Sequence, residues 1–283
     1  MFRKALIAVD LDGQSPLLEC ALDLRTWGID QLVLAHVLPV GYRRHNGPTN
    51  EEHYRKRLAE HAEPLRSSGF RVEARLHLDS DISGSLIGLA WEFQTDLLVL
   101  GSRSRNIMSQ PFLGSVARNV FRRSMVPVLM HQMEPRAGSE PVRCTTCAPT
   151  LRHVLLATDL TAGSRAAHDA VVELAANGAR VDSMHIAESS ELVRFSGWKT
   201  TSRSVLETLG RRITSAGGAG EVVVASGDPS KQVQECASRL DASLLVFGKR
   251  GRHSTEYRTL GSTAKALCKS GRTPVLMVPI RSA

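Results

Sequence analysis

The 283-residue chain says the same thing twice. Gly248, Gly251, Gly261 and Ser262 stand in the order G-x-x-G-x9-G-S behind the apolar run Leu244-Leu245-Val246-Phe247. Gly101, Gly114 and Ser115 stand 147 positions earlier, behind Leu97-Leu98-Val99-Leu100. A repeat of about half the chain length predicts two units, each large enough for its own core. Each unit must then contain the same strand, glycine loop and helix start. The expected boundaries are 1–133 and 151–283, joined by 134–150, a segment of linker composition rich in Pro, Gly, Ser and Thr.

Within each unit, short β-rich runs alternate with stretches whose apolar residues recur at i, i+3 and i+4, the pattern of a parallel sheet with helices on both faces. The predicted strands are 5–9, 32–37, 71–76, 97–100 and 126–131, then 154–157, 181–186, 221–225, 244–247 and 274–278. The predicted helices are 16–26, 51–67 and 83–93, with counterparts at 164–176, 203–216 and 230–239 and a last one at 263–270. The fold class is therefore α/β, two doubly wound five-stranded parallel-sheet domains in tandem. The last strands, Val126-Pro127-Val128-Leu129-Met130 and Thr273-Pro274-Val275-Leu276-Met277, are nearly the same peptide. An apolar edge strand needs cover. Either the two face each other, making an internal pseudo-dimer, or helices cover each separately.

Composition narrows the partners. The net charge of +8 divides as 16 basic and 14 acidic side chains in 1–133, against 18 and 12 in 151–283. A basic excess points to an anionic partner. Aromatics make up 5% of residues and are not interleaved with basic ones, which disfavours nucleic acid. No run approaches the roughly 20 apolar residues of a membrane span, and Met1-Phe2-Arg3-Lys4 leads into a strand without an apolar leader, so a cytoplasmic location is expected. Five cysteines at irregular spacing argue against a disulfide framework. Cys20, Cys236 and Cys268 read as buried structural thiols on helices.

The chemistry gathers where ligands bind in such sheets, outside the carboxyl ends of the strands at the reversal of strand order. The loops after the first and fourth strands meet there. In the second half they carry Ala157-Thr158-Asp159 and Gly248-Lys249-Arg250-Gly251, with Gly261-Ser262 opening the next helix. An ionised Asp159 can only accept, which suits ribose hydroxyls or an adenine amino group. Gly248 is expected to leave the strand with unrestricted dihedrals, and Gly251 and Gly261 let backbone N–H groups approach phosphate oxygens. Ser262 is expected to cap the helix or donate to a phosphate. Lys249, Arg250 and Arg252 are expected to add mobile positive charge. Neither a GxxxxGK followed by Ser or Thr nor a GxGxxG occurs, which argues against a standard P-loop enzyme and against a dinucleotide.

On these motifs both halves resemble universal stress protein domains, whose ATP-binding members carry G-2x-G-9x-G followed by Ser or Thr and an Asp ending the first strand. The resemblance implies an adenine nucleotide alpha hydrolase-like fold. It also implies ATP as ligand, with Mg²⁺ a candidate companion near Asp159. It makes Ala157, Thr158 and Asp159 adenosine-side contacts and Ile186 an apolar contact to adenine. Gly248, Arg250, Gly251, Gly261, Ser262 and Thr263 become the contacts from ribose to phosphate. The first half departs at Ser104, which stands where the second glycine belongs, although Asp10, Gly114 and Ser115 are retained. Its ATP affinity should be the weaker.

Cys144-Thr145-Thr146-Cys147 is half of a tetrahedral thiolate site, completed by His153, by His131 or by another chain, or else a pair of ordinary thiols. A single CxxC does not decide it, and no metal ligand set is assigned. His36 and His185, at equivalent places near the ends of the second strands, read as satisfied structural groups. Neither a nucleophile elbow nor paired carboxylates nor HExxH is present, so no catalytic residue is assigned. Three functions stay open: an ATP-binding stress protein signalling through conformation or assembly to an unidentified protein partner, a slow ATP-hydrolysing enzyme, and an interaction protein without ligand. A homo-oligomer fits the first.

Overall fold

The computed structural model describes residues 2–11, 15–40, 50–103, 113–134, 143–144, 149–187, 197–249, 260–269 and 273–280. The chain divides into two compact units, Phe2–Cys147 and Ala148–Ala283.

In the first unit β1 (Lys4–Ala8), β2 (Gln31–Leu38), β3 (Arg71–Leu78), β4 (Leu97–Arg103) and β5 (Val128–Glu134) lie in the order β3-β2-β1-β4-β5, all parallel. The crossovers hold α1 (Leu17–Ala21), α2 (Asn50–Ser67), α3 (Ile82–Glu92) and α4 (Ser115–Arg123). In the second unit β7 (His153–Thr158), β8 (Arg180–Ala187), β9 (Val222–Ser226), β10 (Leu244–Gly248) and β11 (Val275–Val278) repeat the order as β9-β8-β7-β10-β11. Its helices are α5 (Arg165–Ala176), α6 (Trp198–Ser215), α7 (Pro229–Arg239) and α8 (Ser262–Lys269). Each sheet runs outward from its first strand in one direction and returns to build in the other. The reversal falls between β1 and β4, and between β7 and β10.

Central strands such as Ala5-Leu6-Ile7 and Leu244-Leu245-Val246 are buried on both faces, which is why they read as continuous apolar runs rather than alternating ones. Two glycines set the entry into the second strand of each unit. Gly28, at φ 83, and Gly178, at φ 92, take the left-handed conformation that ends the preceding helix. The amide of Ile29 bonds back to Leu24 O at 3.2 Å, and that of Ala179 to Leu174 O at 3.1 Å.

Two expectations need correction. The first predicted helix holds α geometry only over Leu17–Ala21 and tightens to a 3₁₀ turn over Leu22–Trp27, where Thr26 Oγ1 donates to Asp23 O three residues back at 2.7 Å. The segment assigned to a linker contains β6 (Arg143–Cys144), antiparallel to β5 with Met133 opposite Cys144. No helix among the described residues is long and apolar enough to cross a membrane.

Candidate functional site

In the second unit Ala157 lies beside Phe247 in adjacent parallel strands, so the loops beginning Thr158-Asp159 and Gly248-Lys249 leave the sheet together. Asp159 folds its carboxylate into a local turn. Its Oδ1 accepts from Thr161 N at 3.0 Å and from Thr161 Oγ1 at 2.9 Å. Leu160 sits at φ 61, a left-handed conformation that a leucine adopts only under constraint. The constraint is visible, because Leu160 N donates to Thr158 Oγ1 at 3.1 Å.

Thr158 is buried, and its hydroxyl is engaged internally. It lies 3.0 Å from Ser164 Oγ and 2.8 Å from His168 Nε2. Ser164 gives its own proton to Thr161 O at 2.9 Å, so Thr158 donates to Ser164 and accepts from Leu160 N and from His168 Nε2–H. Any contact from Thr158 to a ligand would therefore run through other atoms. Ile186 lies at the end of β8 with 9% of its surface exposed.

The glycines act through space rather than through special dihedrals. Gly248 has no positive φ, so the unrestricted dihedrals expected of it are not used; instead a Cβ there would meet Ser164 Cα at 3.3 Å and Gly163 O at 3.4 Å. The loops after β7 and β10 are thus in contact at that point. Lys249 is not a mobile charge. It is 3% exposed, and its amide continues the sheet by donating to Val278 O at 2.8 Å. Gly261, not Ser262, accepts the first helical bond of α8, from Lys265 N at 2.9 Å, so Ser262 is the exposed first residue of the helix. Gly114 does the same for α4, which has no side-chain cap. Thr263 follows half-buried. Arg250, Gly251, Arg252 and Ser104 lie outside the described residues.

The corresponding crevice of the first unit holds a cavity of about 290 Å³. It is walled by the ends of β1, β2 and β4, including Asp10, His36 and Gly101, and by α3 and α4. His36 Nδ1 lies 2.8 Å from Val9 O, and a carbonyl can only accept, so Nδ1 carries the proton. Its Nε2 is then an acceptor, buried and without a hydrogen-bond partner among the described residues. The ring stacks on Tyr54 at 5.0 Å between centroids. His185 repeats the strand-end bond, with Nδ1 2.9 Å from Thr158 O.

Sequence reasoning missed His168, whose neutral form is favoured because burial depresses its pKa below 6.5, with Arg212 adding to the effect. It misplaced Cys20. Cys20 is no isolated core thiol: it is disulfide-bonded, and α1 also brings its Sγ to 3.0 Å from the Sγ of Cys144, which is not its disulfide partner. His153 lies 2.9 Å from Asp182. Cys147 lies outside the described residues.

Two doubly wound α/β units in tandem, each with a crevice at its strand reversal, define the class. The model of the universal stress protein family matches residues 1–131 and 150–279. A universal stress protein from Archaeoglobus fulgidus is similar at a TM-score of 0.73 and 21% identity, covering 98% of each chain. A putative universal stress protein from Pseudomonas aeruginosa is similar at 0.69 and 17% identity, covering 99% of this chain and 94% of that one. A functionally unknown protein from the same species gives 0.70 and 17%, covering 99% of this chain and 93% of that one. At those identities the structures speak for the fold alone. The search of curated proteins finds no match. Because the family model covers most of both halves, this chain belongs to the universal stress protein family.

Proposed function

We propose that the chain is a cytoplasmic stress-response protein that binds ATP through the glycine loop of its second unit and signals by a ligand-dependent change of conformation or assembly. The observation that carries this reading is the meeting of the two loops: Gly248 packs against Ser164 at the strand reversal, next to Asp159 and on the same chain segment as Gly251. Asp159 offers acceptors to the nucleoside end. The N-terminus of α8, opened by Gly261 without a side chain, offers backbone donors to phosphate, worth about 0.3–1 kcal/mol through the helix dipole. Mg²⁺, where it accompanies ATP, would bind phosphate oxygens with Asp159 as its protein ligand.

The first unit is a second, weaker site. Its cavity lies at the lower end of the roughly 300–1,000 Å³ of small-molecule pockets, and His36 Nε2 presents a fixed acceptor to an amino or hydroxyl group. Binding rather than turnover is the activity proposed.

Calorimetric titration of wild type and Gly251→Val with ATP tests the main site. The added side chain should remove most binding while the fold stays intact by circular dichroism. Equal affinities in the two proteins reject the assignment, and steady phosphate release that depends on Asp159 favours the enzyme reading instead.

A further inference from the structure

Cys20 on α1, His131 on β5 and Cys144 on β6 converge within the first unit, their ligand atoms all within 4.8 Å of one another. Cys20 and His131 are buried, at 2% and 1% exposure, and Cys144 is half-buried. Two consecutive strands and a helix far earlier in the chain thus place two sulfurs and one imidazole nitrogen around one point. The pairing of β6 with β5 is what brings Cys144 there, since Met133 lies opposite Cys144 and His131 is two residues back along β5. We infer that, in the reduced protein, Cys20, His131 and Cys144 bind a Zn²⁺ ion that clamps α1 to the β5–β6 hairpin.

The donor set selects the ion. Thiolate and imidazole suit zinc, whereas magnesium and calcium take oxygen ligands. Two thiolates also cancel the charge of Zn²⁺, which removes much of the cost of burying it. In a tetrahedron with Zn–S bonds of about 2.3 Å the sulfurs lie roughly 3.8 Å apart. The 3.0 Å between Cys20 and Cys144 therefore opens by well under one bond length when the ion enters.

Because Cys20 is disulfide-bonded in this structure, metal binding competes with oxidation. A phosphine reductant supplies two electrons and leaves as its oxide, taking the oxygen of one water whose two protons convert the disulfide of Cys20, in which Cys144 takes no part, to two thiols. Zn²⁺ then displaces the thiol protons of Cys20 and Cys144 to solvent and takes the lone pair of neutral His131. The site lies in the first unit and is independent of the nucleotide reading of the second.

The test uses the full chain, reduced with phosphine, loaded with zinc alone, dialysed, and assayed for metal. About one equivalent per chain is expected to remain, lost in Cys144→Ser and in His131→Asn and kept in Cys236→Ser. Should the ligand variants fold poorly, Co²⁺ is added to the reduced wild type; tetrahedral d–d bands with a thiolate charge-transfer band support the site. A reduced protein that retains no zinc, or a Cys144→Ser variant that retains as much as wild type, overturns it, as does a Co²⁺ spectrum without thiolate bands.

Discussion

His153 Nε2 lies 2.9 Å from Asp182 Oδ2, joining the first and second strands of the second unit through a carboxylate that is 0% exposed. The other oxygen, Oδ1, accepts from Glu221 N at 2.7 Å, where the chain enters β9. One buried side chain therefore ties β7, β8 and the approach to β9. Removing it leaves a part-buried imidazole and a part-buried backbone amide without their acceptor. Asp182→Ala should cost about 1–3 kcal/mol, the penalty for leaving hydrogen-bonding groups unsatisfied. Urea unfolding measures it. A loss under about 1 kcal/mol would show that solvent reaches these groups after all.

Mild acid should destabilise the second unit through His168. Its folded pKa is lowered from 6.5, first by burial and then by Arg212, so between the two values the unfolded chain binds the extra proton. Stability from this residue is complete above pH 6.5 and is lost as pH falls through 6.5 toward the folded value. His61 on α2 adds the same sign in the first unit, lowered first by burial and then by Arg57. Thermal melts of wild type and His168→Gln between pH 8 and 5 should converge as pH falls. A gap that widens on acidification would refute the assignment.

Much of this was legible in the sequence, and the losses have physical causes. The strand order and both crevices follow from the repeat, because buried parallel strands announce themselves as apolar runs. Helix starts were read late: Asp81 and Asp228 cap α3 and α7, yet the apolar periodicity begins two residues on, at Ser83 and Ser230. The signal was present as Asp-x-Ser in both halves. The approach of Cys20 to Cys144 could not be read, since 124 residues separate them and only the pairing of β6 with β5 closes the distance. Lys249 misled because a lysine beside a glycine reads as loop, while the sheet bond to Val278 O continues one residue farther. Gly248 reads from the sequence as a residue of free dihedrals, and only the neighbouring loop reveals that the constraint is room.

Those two caps also predict acid behaviour. Asp81 Oδ1 accepts from Gly84 N at 2.9 Å, and its Oδ2 pairs with Arg123 Nη1 at 2.7 Å. The Arg123 guanidinium, then the Gly84 amide, hold the carboxyl at about 2, below its ordinary 3.8. Asp228 is lowered likewise, by Ser230 and then the Lys231 amide. These carboxylates stabilise the fold fully above pH 3.8 and lose that contribution as pH falls toward 2. Asp81→Asn should therefore lower the melting temperature at pH 6 and make no difference near pH 2. An equal deficit at both pH values would assign the effect to lost packing rather than to charge.

The strand-end glycines of the two units should differ in what they tolerate. A Cβ at Gly248 meets backbone, Ser164 Cα at 3.3 Å, and that backbone belongs to the turn after Asp159. A Cβ at Gly101 meets only a flexible side chain, Met133 Cε at 2.8 Å and Cγ at 3.1 Å, which can adjust by rotating. Gly248→Ala must shift the turn by a few tenths of an ångström, at roughly 1–2 kcal/mol, and the shift carries Asp159 with it. Gly101→Ala should be nearly neutral, since the lost room is offset by about 0.4–1 kcal/mol of reduced chain entropy in the unfolded state. Urea midpoints for the two variants settle the stability half. Calorimetry with ATP settles the other, because only Gly248→Ala should weaken binding at the second unit. If Gly101→Ala proves the more damaging, Met133 is locked rather than adaptable and the asymmetry is reversed.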